Sequence, residues 1–389
     1  MGRVSWKSDA GRAVVPLVLL LALFYGGREG LFGGDAKQVV ADLKNDGPNE
    51  VGLDELTKNY YAGLQETDRE VNLGSGLTMW VRNLFDRRQG LTADLARKSE
   101  PIENLDGHFL FWENIRDEEV MYKGVAVRMN RFGHRDDDAY EKEKPADVFR
   151  IAVVGGSNCM AYGVEVEQGW VELLEARLNQ ELAGRRWRRF ELINFAVVSY
   201  YLPEKLYVYK HQVRDFHPDL VLVEALAIEL RGRMTDSVAT RIFEKRPLEF
   251  SFFEEIARNV GIKPDHSQKK MSKLLKGQTR IMAEECFKEI ARLSREYQLP
   301  TAVLALRLEI EGVHPMLKFQ SQVARESGLP VLEVFDTFEG GSSDMYVHPR
   351  DYHPSFKANQ LIVDELYNDL LSDPTLRPML GAANVAESR

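Results

Sequence analysis

The chain predicts an α/β fold in which a five-stranded parallel sheet lies between two layers of helices. Two observations carry this. Short apolar runs recur at 148–154, 191–198, 219–226, 301–306 and 330–335, and between them stand segments with apolar residues three and four apart. Strands that alternate with helices run parallel when each helix crosses back over the sheet, which covers both faces. Of the 389 residues, 44% are hydrophobic and 29% charged, enough for a sizeable core.

The first strand, 148–154, reads as a continuous apolar run, the pattern of a strand buried on both faces. Residues 168–182 follow as a helix with Trp170, Leu173, Leu174 and Leu178 on one face. The second strand, 191–198, leads into a helix at 203–216, opened by Pro203, whose fixed φ suits a first helical turn. The third strand is 219–226. The rhythm then breaks over about 240–277, which mixes Phe243, Phe250, Phe252 and Phe253 with Arg246, Lys263, Lys269, Lys270, Lys273 and Lys276. This is an insertion, expected as a solvated surface excursion rather than a lid. A long helix at 279–297, the fourth strand, a helix at 314–326, the fifth strand and a last helix at 355–371 complete a flavodoxin-like three-layer sandwich.

Ahead of this layer, Arg3, Lys7 and Arg12 precede an uncharged stretch at 13–27. At about 1.5 Å per residue it spans roughly 22 Å, short of the roughly 30 Å of a hydrocarbon core. That length suits a signal peptide or a short signal anchor, uncleaved retention being favoured, with the rest of the chain exported and tethered to the membrane; a buried helix of a soluble protein is the alternative. Residues 35–145 are polar, with helical patterns at 54–64 and 77–88, and are expected to form a mostly helical, membrane-proximal region ending in the charged hinge 141–145. The plan is therefore 1–34 anchor or signal, 35–145 stalk, 146–375 α/β domain, and 376–389 tail.

Sixty acidic against 51 basic side chains leave a net charge of −9, which argues against a nucleic-acid binder. Two cysteines, Cys159 and Cys286, exclude a disulfide framework and a four-thiolate zinc site; a single bridge between them stays open. The phosphate-cradling glycine motifs are absent, which disfavours a nucleotide-binding protein of similar topology. His108, His134, His266 and His314 lack the paired spacing of a metal site, so no cofactor or metal is expected.

In an open parallel sheet, ligands bind beyond the carboxyl ends of the strands. Just after the first strand stands Gly155-Gly156-Ser157-Asn158, a tight turn that presents a hydroxyl. After the fifth strand, on the same sheet edge, stands His348-Pro349-Arg350-Asp351-Tyr352-His353-Pro354-Ser355. A serine nucleophile needs a base, and the base needs an orienting acceptor. His353 suits the first role and Asp351 the second.

The run Ile151-Ala-Val-Val-Gly-Gly-Ser157-Asn-Cys-Met-Ala-Tyr-Gly-Val164 resembles the nucleophile block of the SGNH/GDSL hydrolases, and Asp351-Tyr-His353-Pro-Ser resembles their last block. Asn194-Phe-Ala-Val-Val-Ser199-Tyr200 sits where the second block falls, and His217-Pro-Asp-Leu-Val-Leu-Val223 matches the approach to the third. Asn130-Arg-Phe-Gly133-His-Arg135-Asp136 is similar to a segment that precedes the catalytic domain in exported bacterial members. The resemblance implies a serine esterase or O-acyltransferase with Ser157, His353 and Asp351 as catalytic residues, acting on an acylated small molecule or cell-envelope carbohydrate. It also implies an oxyanion hole from the backbone N–H groups of Ser157 and Ser199. Two blocks depart from the pattern. Ser199 replaces the second-block glycine, and Leu226-Ala-Ile228-Glu229 replaces Gly-x-Asn-Asp, so Ile228 stands where a side-chain donor is expected. Three outcomes are open: a reduced hole, substitution by Asn158 or a lid residue, or a binding or assembly protein that has lost catalysis.

The remaining candidates read as structural. Asp344 and His348 form a looser carboxylate–imidazole pair, expected at the surface or against substrate. Cys159 reads as a small buried residue, and His211 and His217 as structural. Glu224 and Glu229 are expected to face the cleft or the strand end and to form ion pairs rather than bind a cationic substrate, and the basic run 185–189 to be a solvated loop.

Overall fold

The computed structural model describes residues 101–382, apart from 123–124, 137–139 and 349–350. The proposed anchor, the helical patterns at 54–64 and 77–88, and the last residues of the tail lie outside them. No helix among the described residues is long and apolar enough to cross a membrane.

The part of the expected stalk that is described is not helical. It holds two antiparallel hairpins, β1 (Ile102–Asn104) with β2 (Trp112–Asn114) and β3 (Glu119–Tyr122) with β4 (Val125–Arg128). These strands are too short to hold a stable sheet alone. They are instead tied to the α/β layer: Trp112 Nε1 donates to Val198 O at 2.9 Å and Asn114 Nδ2 to Ala196 O at 3.0 Å. The boundary placed at 145 therefore separates compositions, not packing units.

The central sheet has five parallel strands, β5 (Val148–Val154), β6 (Arg189–Asn194), β7 (Leu220–Ala225), β8 (Thr301–Leu306) and β9 (Val331–Val334), in the order β6-β5-β7-β8-β9. All of β5, β7 and β8 is buried. Successive residues feed opposite layers, as the two-residue period of a strand requires. Ile151, Val153, Leu220 and Leu222 pack with α1 (Trp170–Leu182), and Ala152, Val154, Val221 and Val223 pack toward α2 (Leu202–His211).

Between β7 and β8 the insertion forms three helices, α3 (Arg233–Phe243), α4 (Ser251–Asn259) and α5 (Gln268–Leu275). The expectation of a solvated excursion gives way here. Met234, Val238, Phe253, Met271 and Leu275 are fully buried, and Phe250 joins them in the core, whereas Phe243 stays 50% exposed. Next come α6 (Thr279–Tyr297) and α7 (Pro315–Glu326), which share the α2 side of the sheet through Met282, Ile290 and Leu317. The His314 ring caps α7 by accepting Met316 N–H. After β9 a hairpin, β10 (Tyr346–His348) and β11 (Asp351–Pro354), leads into α8 (Phe356–Ser372). α8 joins α1 on the other face through Ile362, Leu366 and Leu370.

Two local details differ from the sequence reading. The second strand ends at Asn194, because that side chain accepts Ala196 N–H and donates to Cys159 O, turning the chain off the sheet. The apolar run of β5 also contains Arg150. Its guanidinium is buried and bonds Glu191 Oε2 on the neighbouring strand at 2.8 and 2.9 Å, which compensates the charge at the amino end of the sheet.

Candidate active site

The chain leaves β5, adds β6 on one side, then crosses to β7 on the other, so the strand order reverses at the carboxyl end of β5. Gly155-Gly156-Ser157 occupies that point. A Cβ on Gly155 would lie 2.2 Å from Cys159 Sγ, and one on Gly156 would lie 3.1 Å from Tyr200 O. The glycines are there because the turn is pressed against its surroundings. The turn closes on itself through Tyr162 N–H to Ser157 O at 3.1 Å and Met160 N–H to Gly156 O at 3.2 Å.

Asp351 and His353 are two residues apart on β11, and alternate residues of a strand face the same side. Asp-x-His spacing thereby becomes a hydrogen bond: His353 Nδ1 binds Asp351 Oδ1, while Tyr352 between them turns outward and is 65% exposed. The other ring nitrogen, His353 Nε2, lies 2.8 Å from Ser157 Oγ across 196 positions of sequence. A carboxylate on Nδ1 favours the tautomer that carries its hydrogen there, leaving the Nε2 lone pair for the serine hydroxyl. The Tyr162 ring packs against the His353 ring, centroids 4.7 Å apart, and restricts its rotation.

Ser199, at the place of the second-block glycine, has φ 59°, the left-handed region that glycine fills without strain. The turn thus takes a backbone shape open to glycine despite the side chain. Among the described residues, the backbone N–H groups of Ser157 and Ser199 have no hydrogen-bond acceptor. Ile228 is 44% exposed in a 3-10 turn, Ala227–Leu230, at the carboxyl end of β7, and supplies no donor. Asn158 is nearly buried, and its side-chain amide has no hydrogen-bond partner among the described residues.

Arg135 is the part of the site that sequence reasoning quoted without a role. It is 2% exposed and donates to Met160 O and Val164 O, each at 2.8 Å, and to Ala161 O. Burial lowers its pKa to about 10, so the guanidinium stays charged at neutral pH. One buried cation thus ties down the loop that runs from Ser157 to Val164. The remainder of the Asn130–Asp136 segment sets this up: Asn130 Oδ1 accepts Phe132 and His134 N–H, and His134 Nδ1 meets Tyr140 OH at 2.7 Å. The available signal was a second arginine, after Arg131, set beside Phe132, Gly133 and His134 in this short segment.

Glu224 and Glu229 do not face the cleft. Both are fully buried and both bond Lys205. Asp344 pairs with Lys357 Nζ at 2.7 Å rather than with His348. Cys159 and Cys286 are buried free thiols; burial first, and then Glu224, pushes the Cys159 thiol well above its usual range, so it is no nucleophile at neutral pH. The basic run is engaged with the protein, Arg188 with Asp147 and Arg189 with Glu191. Among the described residues, no three His, Cys, Asp or Glu side chains converge to hold a metal ion.

No family model matches this chain, and no curated protein does. Solved structures similar to it include the psychrotrophic esterase EstA of a Pseudoalteromonas species, with 20% identity, 57% of this chain and 95% of that one covered, and a TM-score of 0.36. A variant of the acetyl xylan esterase Axe2 from Geobacillus stearothermophilus shares 13% identity over 59% of this chain and 96% of that one, TM-score 0.37. The lipase/acylhydrolase from Enterococcus faecalis shares 14% identity over 57% and 95%, TM-score 0.36.

Proposed function

We propose that the chain is a serine esterase or O-acyltransferase. The observation that carries this reading is the chain of contacts from Ser157 Oγ through His353 to Asp351 at the switch point of the sheet. Ser157 Oγ attacks an ester carbonyl while His353 Nε2 takes its proton, and Asp351 steadies the imidazolium that forms. The tetrahedral oxyanion is held by the Ser157 and Ser199 N–H groups, with the Asn158 amide as a third donor in place of the one Ile228 lacks. As the carbonyl re-forms, the ester C–O bond breaks and His353 returns the proton to the departing alcohol. Water or a sugar hydroxyl then attacks the acyl-enzyme by the same steps in reverse. The acylated substrate is proposed to be a small molecule or a cell-envelope carbohydrate. The apolar stretch at 13–27 supports a membrane-tethered, exported placement, which fractionation of cells expressing the full chain tests.

The test is hydrolysis of a chromogenic acetyl ester by the purified protein beside a Ser157→Ala control, together with fluorophosphonate labelling. Turnover and label that vanish in the control are expected; equal rates in both proteins remove the reading. The exposed Ile228 favours one alternative, a non-catalytic binding or assembly protein. That protein would stay unlabelled yet bind an envelope polysaccharide.

A further inference from the structure

A buried ion triad lies beneath the nucleophile turn. Lys205 of α2, Glu224 of β7 and Glu229 of the following 3-10 turn are all fully buried. Lys205 Nζ donates to Glu224 Oε2 at 2.9 Å, to the Glu224 carbonyl at 3.0 Å, and to Glu229 Oε1. The same Glu224 Oε2 accepts the Gly156 backbone N–H at 2.8 Å. One carboxylate oxygen thus holds both a buried ammonium and the residue immediately ahead of Ser157.

Stability alone does not account for this arrangement. A lysine and two carboxyl groups taken out of water lose more in desolvation than an apolar trio of the same volume, and their mutual attraction does not reliably offset it. Glu224 Oε1 and Glu229 Oε2 have no hydrogen-bond partner among the described residues. Burial also pushes the Glu229 carboxyl up to about 7 against the pull of Lys205. Leu206, Val221 and Val223 of the same layer are buried and apolar. What the triad does supply is a fixed location for a peptide that has no side chain of its own to pack.

We propose that Glu224, held by Lys205, is a positioning residue: by fixing the Gly156 N–H it keeps Ser157 Oγ within reach of His353 Nε2. The inference rests on the serine-nucleophile reading above and adds a residue to it. Arg135 secures the far side of the same turn, and Glu224 the near side.

Two substitutions separate reach from charge. Glu224→Gln keeps the length and an oxygen able to accept from Gly156 and Lys205, and loses the charge. Glu224→Asp keeps the charge and withdraws the oxygens by one methylene. Both full-length proteins are compared with wild type in detergent, below their unfolding transitions. The measurements are kcat and KM for a chromogenic acetyl ester, fluorophosphonate labelling at Ser157, and hydrogen exchange of the amides in 151–160. For Glu224→Gln, kcat is expected within about threefold of wild type; for Glu224→Asp, a loss on the order of a hundredfold with KM within about twofold. Gly156 exchange should quicken in Glu224→Asp alone.

The reverse ranking would make charge the relevant property and overturn the proposal. So would equal behaviour of the two variants, whether both active or both impaired. If wild type itself takes no label, the serine reading fails, and exchange alone then decides: faster in Glu224→Asp than in Glu224→Gln supports positioning, and equal exchange overturns it.

Discussion

Arg135→Met tests whether the loop behind Ser157 is held by a cation. Met fills much of the same volume but donates nothing, so the carbonyls of Met160, Ala161 and Val164 lose their charged donor. A buried group left unsatisfied costs about 1–3 kcal/mol, and Met160 O and Val164 O are left so, whereas Ala161 O still accepts Val164 N–H at 3.3 Å. Removing the guanidinium also removes its own desolvation penalty, which is several kcal/mol for a group only 2% exposed. The balance is a net loss of about 1–3 kcal/mol, a noticeable part of the roughly 5–15 kcal/mol that holds a typical domain together. A local effect accompanies the global one. The same loop carries Tyr162, whose ring backs the His353 imidazole, so loosening it displaces the base. Urea unfolding of the full-length protein measures the first effect. The rate of fluorophosphonate labelling, taken well below the unfolding midpoint, measures the second, and a drop on the order of a hundredfold is expected. Arg135→Lys should recover part of both, because an ammonium reaches fewer of the carbonyls than the planar fork does. A stability change under about 0.5 kcal/mol with unaltered labelling would refute the clamp, that being the usual range for a residue without special contacts.

Ile228→Asn places an amide donor at the exposed position where the third block lacks one, and kcat for an acetyl ester should rise, by up to about a hundredfold if the oxyanion is short of a donor; no gain would mean that the existing donors already suffice. Asp351→Asn should lower kcat by about 10⁴-fold with little change in KM, since an amide on Nδ1 permits the wrong imidazole tautomer, and a loss under tenfold would remove Asp351 from its role. His134 sets an acid sensitivity. Burial, then Arg116 and Lys142, lower its pKa from 6.5 to about 3, so the folded state holds it neutral while the unfolded chain takes up a proton. Stability is therefore fully present above pH 6.5 and declines as pH falls toward 3, by about 1.4 kcal/mol at pH 5.5 relative to pH 8. In His134→Gln that slope should flatten in urea titrations, and an unchanged slope would assign the sensitivity to other groups.

Particular residues show where sequence reading stopped. Helix 279–297 and strand 301–306 were legible to the residue, because long periodic segments and short apolar runs bounded by Pro300 report only local burial. The hairpin carrying Asp351 and His353 was not, since its strands are three and four residues long and make no recognisable period. Lys205 was passed over inside an amphipathic helix, where a lysine reads as the solvent face. Its burial is set by where Glu224 and Glu229 arrive, 19 and 24 residues later. The hairpins of 101–145 were missed for a similar reason: their strands are three and four residues long, and β2 is held by Val198 O and Ala196 O while Val127 of β4 packs into the core with Met160 and Tyr162.

By itself the sequence determined the parallel α/β layer, its strand order in time, and the two blocks that carry a hydroxyl and an Asp-x-His pair. These follow from hydrophobic period and from which residue types a turn can accept, both properties of neighbouring positions. Only the tertiary structure decided that Ser157 Oγ and His353 Nε2 stand 2.8 Å apart, that Arg135 and Lys205 are buried beside the same turn, and that Ile228 is left facing solvent. Distances between residues far apart in the chain depend on how the layers close over one another, and hydrophobic period carries no record of that.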